Sequence, residues 1–142
     1  MQLPGIGGYV GKLLVVDDDE MVRVFVTAIL ATLGYDIVEV KDGLEALWVY
    51  QAMRSEISLI IMDIMMPRMD GIAATKVIKA TDPSTKVILM SGQSEHDPAE
   101  AKADGFIPKP FSGKDLLEVV QKVLHEDRPI AWVTEQQQQS FG

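Results

Sequence analysis

The 142-residue sequence contains no cysteine, which excludes disulfides, thiolate metal sites and cysteine nucleophiles. It also lacks an apolar stretch of the roughly 18 to 20 residues that span a bilayer, and its N-terminus has no signal-peptide pattern. Basic residues are scarce: 13 Lys and Arg face 21 Asp and Glu, giving a net charge of -8. A nucleic-acid-binding surface needs clustered basic side chains. We therefore expect a cytoplasmic protein that binds neither membrane nor nucleic acid.

The composition that remains is that of one globular domain. Apolar residues make up 47% of the chain and charged residues 24%, and the length suits a single hydrophobic core. Residues 1–11 are rich in glycine and 127–142 are rich in glutamine, with little periodicity in either segment. We expect a flexible leader at 1–11, a folded domain at 12–126 and a loose tail at 127–142.

Within that domain, short apolar runs alternate with segments of helical periodicity. Apolar positions between 22 and 33 recur at offsets of 3, 4, 7, 8 and 11, which describes one face of a helix. Five strand–helix units in strict alternation predict an α/β fold with a parallel sheet and right-handed crossovers. The predicted strands are 12–16, 35–40, 59–62, 86–90 and 105–108, and the predicted helices are about 22–33, 44–53, 71–80, 97–103 and 113–124.

The stretch from Leu59 to Gly71 organises the chain. Its apolar run leads directly into Asp63, and Pro67 and the Asp70-Gly71 pair then break the strand. A continuously apolar run bounded by breakers is typical of a strand that is buried on both faces. Ligands of open α/β sheets bind beyond the carboxyl ends of the strands. Asp63 is therefore either a turn residue at a strand end or the reactive centre.

Polar residues follow the other predicted strands as well: Asp17 and Asp18 the first, Ser91 the fourth and Lys109 the fifth. Each has an ordinary explanation, as an acid at a helix N-terminus, a turn residue or a solvated charge. Parallel strands, however, bring all of them to one edge of the sheet. Crowded carboxylates favour a hard cation such as Mg²⁺, and a lysine with a hydroxyl suits a phosphoryl group. The joint placement favours a metal and phosphate site.

Four segments in order carry a family resemblance: LLVVDD (13–18), IMDIMMPRMDG (61–71), VILMSG (87–92) and GFIPKPF (105–111). Together they resemble the receiver domain of two-component response regulators over roughly residues 12 to 125. The resemblance implies a flavodoxin-like (βα)5 three-layer sandwich with five parallel strands in the order 2-1-3-4-5.

The resemblance also implies a reaction. Asp63 would be the phosphoacceptor, taking its phosphoryl group from a phosphohistidine of a sensor kinase. Asp18 would ligate Mg²⁺, with Asp17 assisting and Met65 contributing its backbone carbonyl, and Mn²⁺ is expected to substitute for Mg²⁺. Such a domain is not an enzyme and would at most dephosphorylate itself slowly.

Further roles follow from the same resemblance. Ser91 would hydrogen-bond the new phosphoryl group and Lys109 would pair with its charge. Ser91 and Phe106 would form the switch, with Phe106 filling the space that Ser91 vacates. The Lys109–Pro110 bond corresponds to a bond that is cis in the family.

The implied partners are proteins. A sensor histidine kinase or phosphotransfer protein would supply the phosphoryl group, and a downstream protein would bind the face formed by the fourth helix, fifth strand and fifth helix. The tail is too short for a second domain, so we expect the output to lie on a separate protein or in a longer regulator. Dimerisation on phosphorylation stays open.

Three other functions remain as alternatives. A receiver-like module could bind its partner without phosphate, although it would then be expected to have lost part of the site. An aspartyl-nucleophile phosphatase typically has a second Asp two residues after the first, where this sequence has Met65. A flavin carrier needs a Ser/Thr-rich phosphate-binding loop after the first strand, and none follows it here.

Overall fold

The computed structural model describes residues 11–92 and 98–125, so the predicted leader, apart from Gly11, and the predicted tail lie outside the described residues. The described chain forms a parallel sheet in the order β2-β1-β3-β4-β5, which confirms the predicted α/β fold and strand order. The strands are β1 (Lys12–Val16), β2 (Asp36–Val40), β3 (Ile57–Asp63), β4 (Val87–Ser91) and β5 (Gly105–Pro108).

The α-helices of the described residues are α1 (Glu20–Ala31), α2 (Gly43–Met53), α3 (Gly71–Thr81) and α4 (Gly113–Leu124). The residue before each helix accepts a hydrogen bond from a backbone N–H of the first turn: Asp19, Asp42, Asp70 and Ser112. Such caps satisfy N–H groups that have no partner within the helix. Short polar side chains thus determine where each helix begins, close to the predicted starts.

The fourth predicted helix differs from the structure in type and length. We expected an α-helix over 97–103, and the structure has a 3-10 helix at Pro98–Ala101. Residue 97 is not among the described residues. The chain leaves the turn at Lys102, whose φ of 59° is left-handed and cannot continue a right-handed helix.

The helices cover both faces of the sheet, and the central strand β3 is buried between them. Its residues Leu59 and Ile61 pack with buried side chains of α1 and α4. Ile60 and Met62 point to the opposite face and pack with α2 and α3. All four side chains are fully buried, and each such burial contributes about 1.5 to 3 kcal/mol. Asp63 therefore ends a strand that is firmly anchored in the core.

Parallel pairing brings the carboxyl ends of the strands to one edge. In the register of the sheet, Val16 pairs with Met62 and Asp63 pairs with Met90. The residues after β1, at the end of β3 and at the end of β4 are thus neighbours. The helices of residues 11–92 and 98–125 include none that is long and apolar enough to cross a membrane.

Candidate functional site

Three carboxylates converge at this edge of the sheet. Asp17 and Asp18 directly follow β1, and Asp63 is the last residue of β3. One carboxylate oxygen from each lies within 4.8 Å of the others. Asp17 is completely buried and Asp63 is 5% exposed, whereas Asp18 is exposed to solvent. Oxygen ligands with an open, solvated side are the donor set that Mg²⁺ prefers, so the residues present fit the implied metal.

Lys109, which directly follows β5, supplies a positive charge to the cluster. Its Nζ lies 2.9 Å from Oδ2 of Asp17 and 3.2 Å from Oδ1 of Asp63. The strand ends thus place one ammonium group against three carboxylates. The carboxylates carry more negative charge than Lys109 neutralises, and this excess would attract a divalent cation.

The surroundings of Asp63 raise its pKa. Burial, followed by repulsion from Asp17, raises the pKa of Asp63 from 3.8 to about 6, despite the opposing attraction of Lys109. Burial is the larger of these two causes. For Lys109, burial alone would lower the pKa, but the hydrogen bond and the attraction to Asp17, together with Asp63, raise it. Lys109 therefore remains charged at neutral pH.

The loop between β1 and α1 holds Asp17 in position. Its Oδ1 accepts a hydrogen bond of 2.9 Å from the backbone N–H of Asp19. The guanidinium of Arg23 donates a 2.7 Å hydrogen bond to the backbone carbonyl of Asp17 and pairs with Glu39 at 3.4 Å. The sequence did not identify Arg23 as a site residue, because its position six residues after Asp17 matches no local motif.

The other predicted site residues lie at the end of β4, in the loop after β3 and on β5. Ser91 ends β4, is 2% exposed, and its backbone carbonyl accepts a 2.7 Å hydrogen bond from the N–H of Lys109. Met65 lies two residues after Asp63 with its side chain half-exposed, and Phe106 of β5 is 38% exposed. The Lys109–Pro110 peptide bond is cis.

The turn after Asp63 depends on a glycine. The N–H of Gly71 donates a 2.8 Å hydrogen bond to the carbonyl of Ile64, closing the loop between β3 and α3. A Cβ on Gly71 would overlap the backbone oxygen and carbon of Asp63. A side chain at position 71 would therefore displace Asp63 itself.

An apolar groove of about 530 Å³ opens beside the cluster. Lys109 and Pro110 line it together with Met21, Phe25 and Phe111. The rings of Phe25 and Phe111 are 6.1 Å apart, and Met21 and Phe25 are 76% and 41% exposed. Phe25 belongs to the apolar positions between 22 and 33 that share one helix face, but its side chain is partly exposed and lines this groove.

Comparisons with known proteins agree with this geometry. The family described as response regulator receiver domain matches residues 13–121. Chemotaxis protein CheY of Bacillus subtilis (strain 168) is 35% identical over 119 residues, which cover 80% of this chain and 98% of that protein. Sensor kinase CckA of Brucella abortus (strain 2308) is also 35% identical over 119 residues, but these cover only 12% of the kinase.

A solved structure, the CheX-CheY-BeF3-Mg²⁺ complex from Borrelia burgdorferi, matches with a TM-score of 0.77 at 29% identity. The match covers 86% of this chain and 95% of that one. The chain thus spans nearly all of one relative, CheY, and about an eighth of another, CckA. From the site, the matched family and these relatives, the chain belongs to the response regulator receiver domains, the phosphoacceptor modules of two-component signalling.

Proposed function

We propose that Asp63 is the residue through which this receiver domain accepts its phosphoryl group from a sensor kinase or phosphotransfer protein. The supporting observation is its position at the end of β3, beside Lys109 and two further carboxylates. A carboxylate oxygen of Asp63 would attack the phosphorus of a phosphohistidine. The new O–P bond forms as the P–N bond breaks, and the imidazole leaves with the electron pair of that bond.

The carboxylates of Asp17, Asp18 and Asp63 and the backbone carbonyl of Met65 would hold Mg²⁺, with Mn²⁺ as a substitute. When bound, the ion would neutralise charge on the phosphoryl oxygens. The fit rests on the carboxylate oxygens lying within 4.8 Å of one another. It also rests on the pKa of Asp63, which burial and then repulsion from Asp17 raise to about 6, because a cation would offset both effects.

The chain's own residues would bind the phosphoryl group on the other side. Lys109 already contacts Oδ1 of Asp63 at 3.2 Å, so its ammonium is close to any group attached to that carboxylate. Ser91 is buried at the same edge, and its hydroxyl would donate a hydrogen bond to a phosphoryl oxygen. Movement of Ser91 would allow Phe106 to turn inward. The face formed by the 3-10 helix Pro98–Ala101, β5 and α4 would then change its affinity for a downstream protein or a second copy.

The apolar groove gives the phosphoryl donor a place to dock. Met21 and Phe25 are exposed and lie beside Lys109 and Pro110. A protein donor must bring a histidine close to Asp63, and exposed apolar side chains next to the reacting group provide contact area for that encounter. The same proposal includes a cytoplasmic location and the domain limits 12–126. It also includes a role without catalytic turnover beyond slow self-dephosphorylation.

The mass of the intact protein after incubation with acetyl phosphate and Mg²⁺ tests the proposal. We expect a single phosphoryl adduct that requires both Asp63 and the metal, and hence disappears in Asp63→Asn and in EDTA. An adduct that persists in Asp63→Asn would refute the assignment of the phosphoacceptor. If no adduct forms and beryllofluoride does not bind either, the alternative of a phosphate-independent interaction module would replace the proposal.

A further inference from the structure

The loop that carries Met65, residues 64–70 (the β3–α3 loop), contacts the neighbouring helix α2 through the side chain of Arg68 and through its own backbone. Nη2 of Arg68 lies 2.8 Å from Oδ2 of Asp42, and its Nε donates to the same oxygen at 3.0 Å. Arg68 has a left-handed φ of 67°, which side chains other than glycine, asparagine and aspartate rarely adopt. Such a conformation persists when surrounding contacts hold it.

Asp42 is a rigid anchor for this contact. Its side chain is only 8% exposed, and its other oxygen, Oδ1, accepts a 3.0 Å hydrogen bond from the N–H of Glu45 as the cap of α2. One carboxylate oxygen thus fixes the helix and the other fixes Arg68. The guanidinium also lies 5.7 Å from the ring of Trp48 in α2, in the range of a cation–π contact.

Close backbone packing accompanies the ion pair. The N–H of Gly43 donates a 3.2 Å hydrogen bond to the carbonyl of Met69. A Cβ at position 43 would lie 2.5 Å from that oxygen, so the loop can approach α2 this closely only at a glycine. We call the contacts of Arg68 with Asp42 and Trp48 the Arg68 clamp.

The two ends of the β3–α3 loop are fixed by β-sheet and turn hydrogen bonds, from Ile64 to Met90 and from Gly71 to Ile64. The position of its middle depends on side chains as well as on the Gly43–Met69 hydrogen bond. Met66 and Met69 pack against the core, but methionine is flexible and tolerates shifts of the backbone. Met65 is half-exposed. The Arg68 clamp therefore adds a directional side-chain contact to the Gly43–Met69 hydrogen bond in restraining the middle of the loop.

We infer that Arg68 is a positioning residue for the metal site: its clamp to Asp42 and Trp48 holds the Met65 carbonyl in place relative to Asp63. The inference rests on the proposed function, because it assigns Met65 to the Mg²⁺ ligands. Partners that orient metal ligands typically change metal affinity by about 10- to 100-fold when removed. A contact that served folding alone would change stability and leave Mg²⁺ affinity unaltered.

The test compares two double variants by calorimetric titration of the full chain with Mg²⁺. Asp42→Asn with Arg68→Asn removes the clamp at constant net charge, and asparagine suits both the helix cap and the left-handed backbone. The control, Lys76→Gln with Glu100→Gln, removes an ion pair of the same 2.8 Å length whose lysine side chain is also 48% exposed. We expect the Kd for Mg²⁺ to rise about tenfold in the first and less than about twofold in the control.

Two outcomes would overturn the inference. One is an unchanged Kd in the clamp variant while the wild type binds Mg²⁺ and Asp63→Asn does not, which leaves the proposed function standing. The other is full Mg²⁺ affinity in Arg68→Lys, because lysine keeps the charge but cannot reproduce the geometry of two guanidinium contacts. If the wild type binds no Mg²⁺ at all, the proposed function fails together with the inference.

Discussion

Replacing Asp63 with asparagine is expected to stabilise the metal-free protein at neutral pH. Asp63 is 5% exposed, and burial together with repulsion from Asp17 raises its pKa to about 6. At pH 7.5 the folded protein therefore holds an ionised carboxylate in surroundings that disfavour its charge. Asparagine has nearly the same shape and no charge, so the variant escapes this cost.

The magnitude follows from the difference between the pKa of about 6 in the folded protein and the ordinary value of 3.8. At about 1.4 kcal/mol for each pH unit, this difference corresponds to about 3 kcal/mol. Relaxation of neighbouring side chains reduces the gain, so we expect about 1 to 3 kcal/mol. The folded state binds the extra proton between pH 4 and 6. Wild-type stability therefore falls as the pH rises through this window, and the variant lacks that fall.

Urea unfolding in EDTA at pH 4.5 and pH 7.5 measures this effect. The advantage of Asp63→Asn should be small at pH 4.5 and reach its full size at pH 7.5. Adding Mg²⁺ should stabilise the wild type according to its affinity and narrow the difference, because the variant has lost one ligand. Asp36→Asn provides a matched control, since the Asp36 side chain is 83% exposed and its replacement should change stability by less than about 0.5 kcal/mol.

The reasoning would be refuted by a variant that is less stable than the wild type in EDTA at pH 7.5. An equal gain at both pH values would also refute it, because the effect would then be independent of the ionisation of Asp63.

Two further predictions concern the turn and the groove. Gly71→Ala should lower the free energy of unfolding by more than about 2 kcal/mol, because its Cβ overlaps the backbone of Asp63. Gly92→Ala is its control, because among the described residues its Cβ would meet only Lys109 Cβ, at 3.9 Å, and equal losses in urea unfolding would contradict the explanation. Phe25→Ala should slow phosphoryl transfer from a phosphorylated histidine phosphotransfer domain about tenfold, since a docking hot spot is worth at least about 1 kcal/mol, yet leave the acetyl phosphate reaction unchanged. Equal slowing with both donors would show that Phe25 supports the chemistry rather than docking.

Local patterns in the sequence were sufficient to predict most of the fold. The burial of β3 on both faces follows from its unbroken apolar run, and Asp70 caps a helix directly after the break that the Asp70-Gly71 pair predicted. The position of Asp63 at the strand end follows from the same run. The strand order 2-1-3-4-5 came from the family resemblance, because alternation alone fixes parallel pairing but not which strands are neighbours.

What the sequence could not provide are contacts between residues that are distant along the chain. Arg68 and Asp42 are 26 residues apart, and nothing near either residue indicates that a loop arginine pairs with a helix cap. The 3-10 helix at Pro98–Ala101 was missed for a different reason. The left-handed backbone of Lys102 ends it, and lysine is not a residue that signals such a conformation.

Charge balance would couple the proposed metal and phosphoryl group at this site. In the described residues of the site, the carboxylates of Asp17, Asp18 and Asp63 carry three negative charges against the single positive charge of Lys109. A divalent cation would bring the total to zero, and phosphorylation of Asp63 would again add negative charge that Lys109 and the cation share. In the metal-free protein Lys109 lies closer to Asp17, at 2.9 Å, than to Asp63, at 3.2 Å. A cation that neutralises Asp17 would weaken the attraction between Asp17 and Lys109. Metal binding should therefore make the ammonium of Lys109 more available to the phosphoryl group. The two binding events are then coupled, and each must strengthen the other by the same factor.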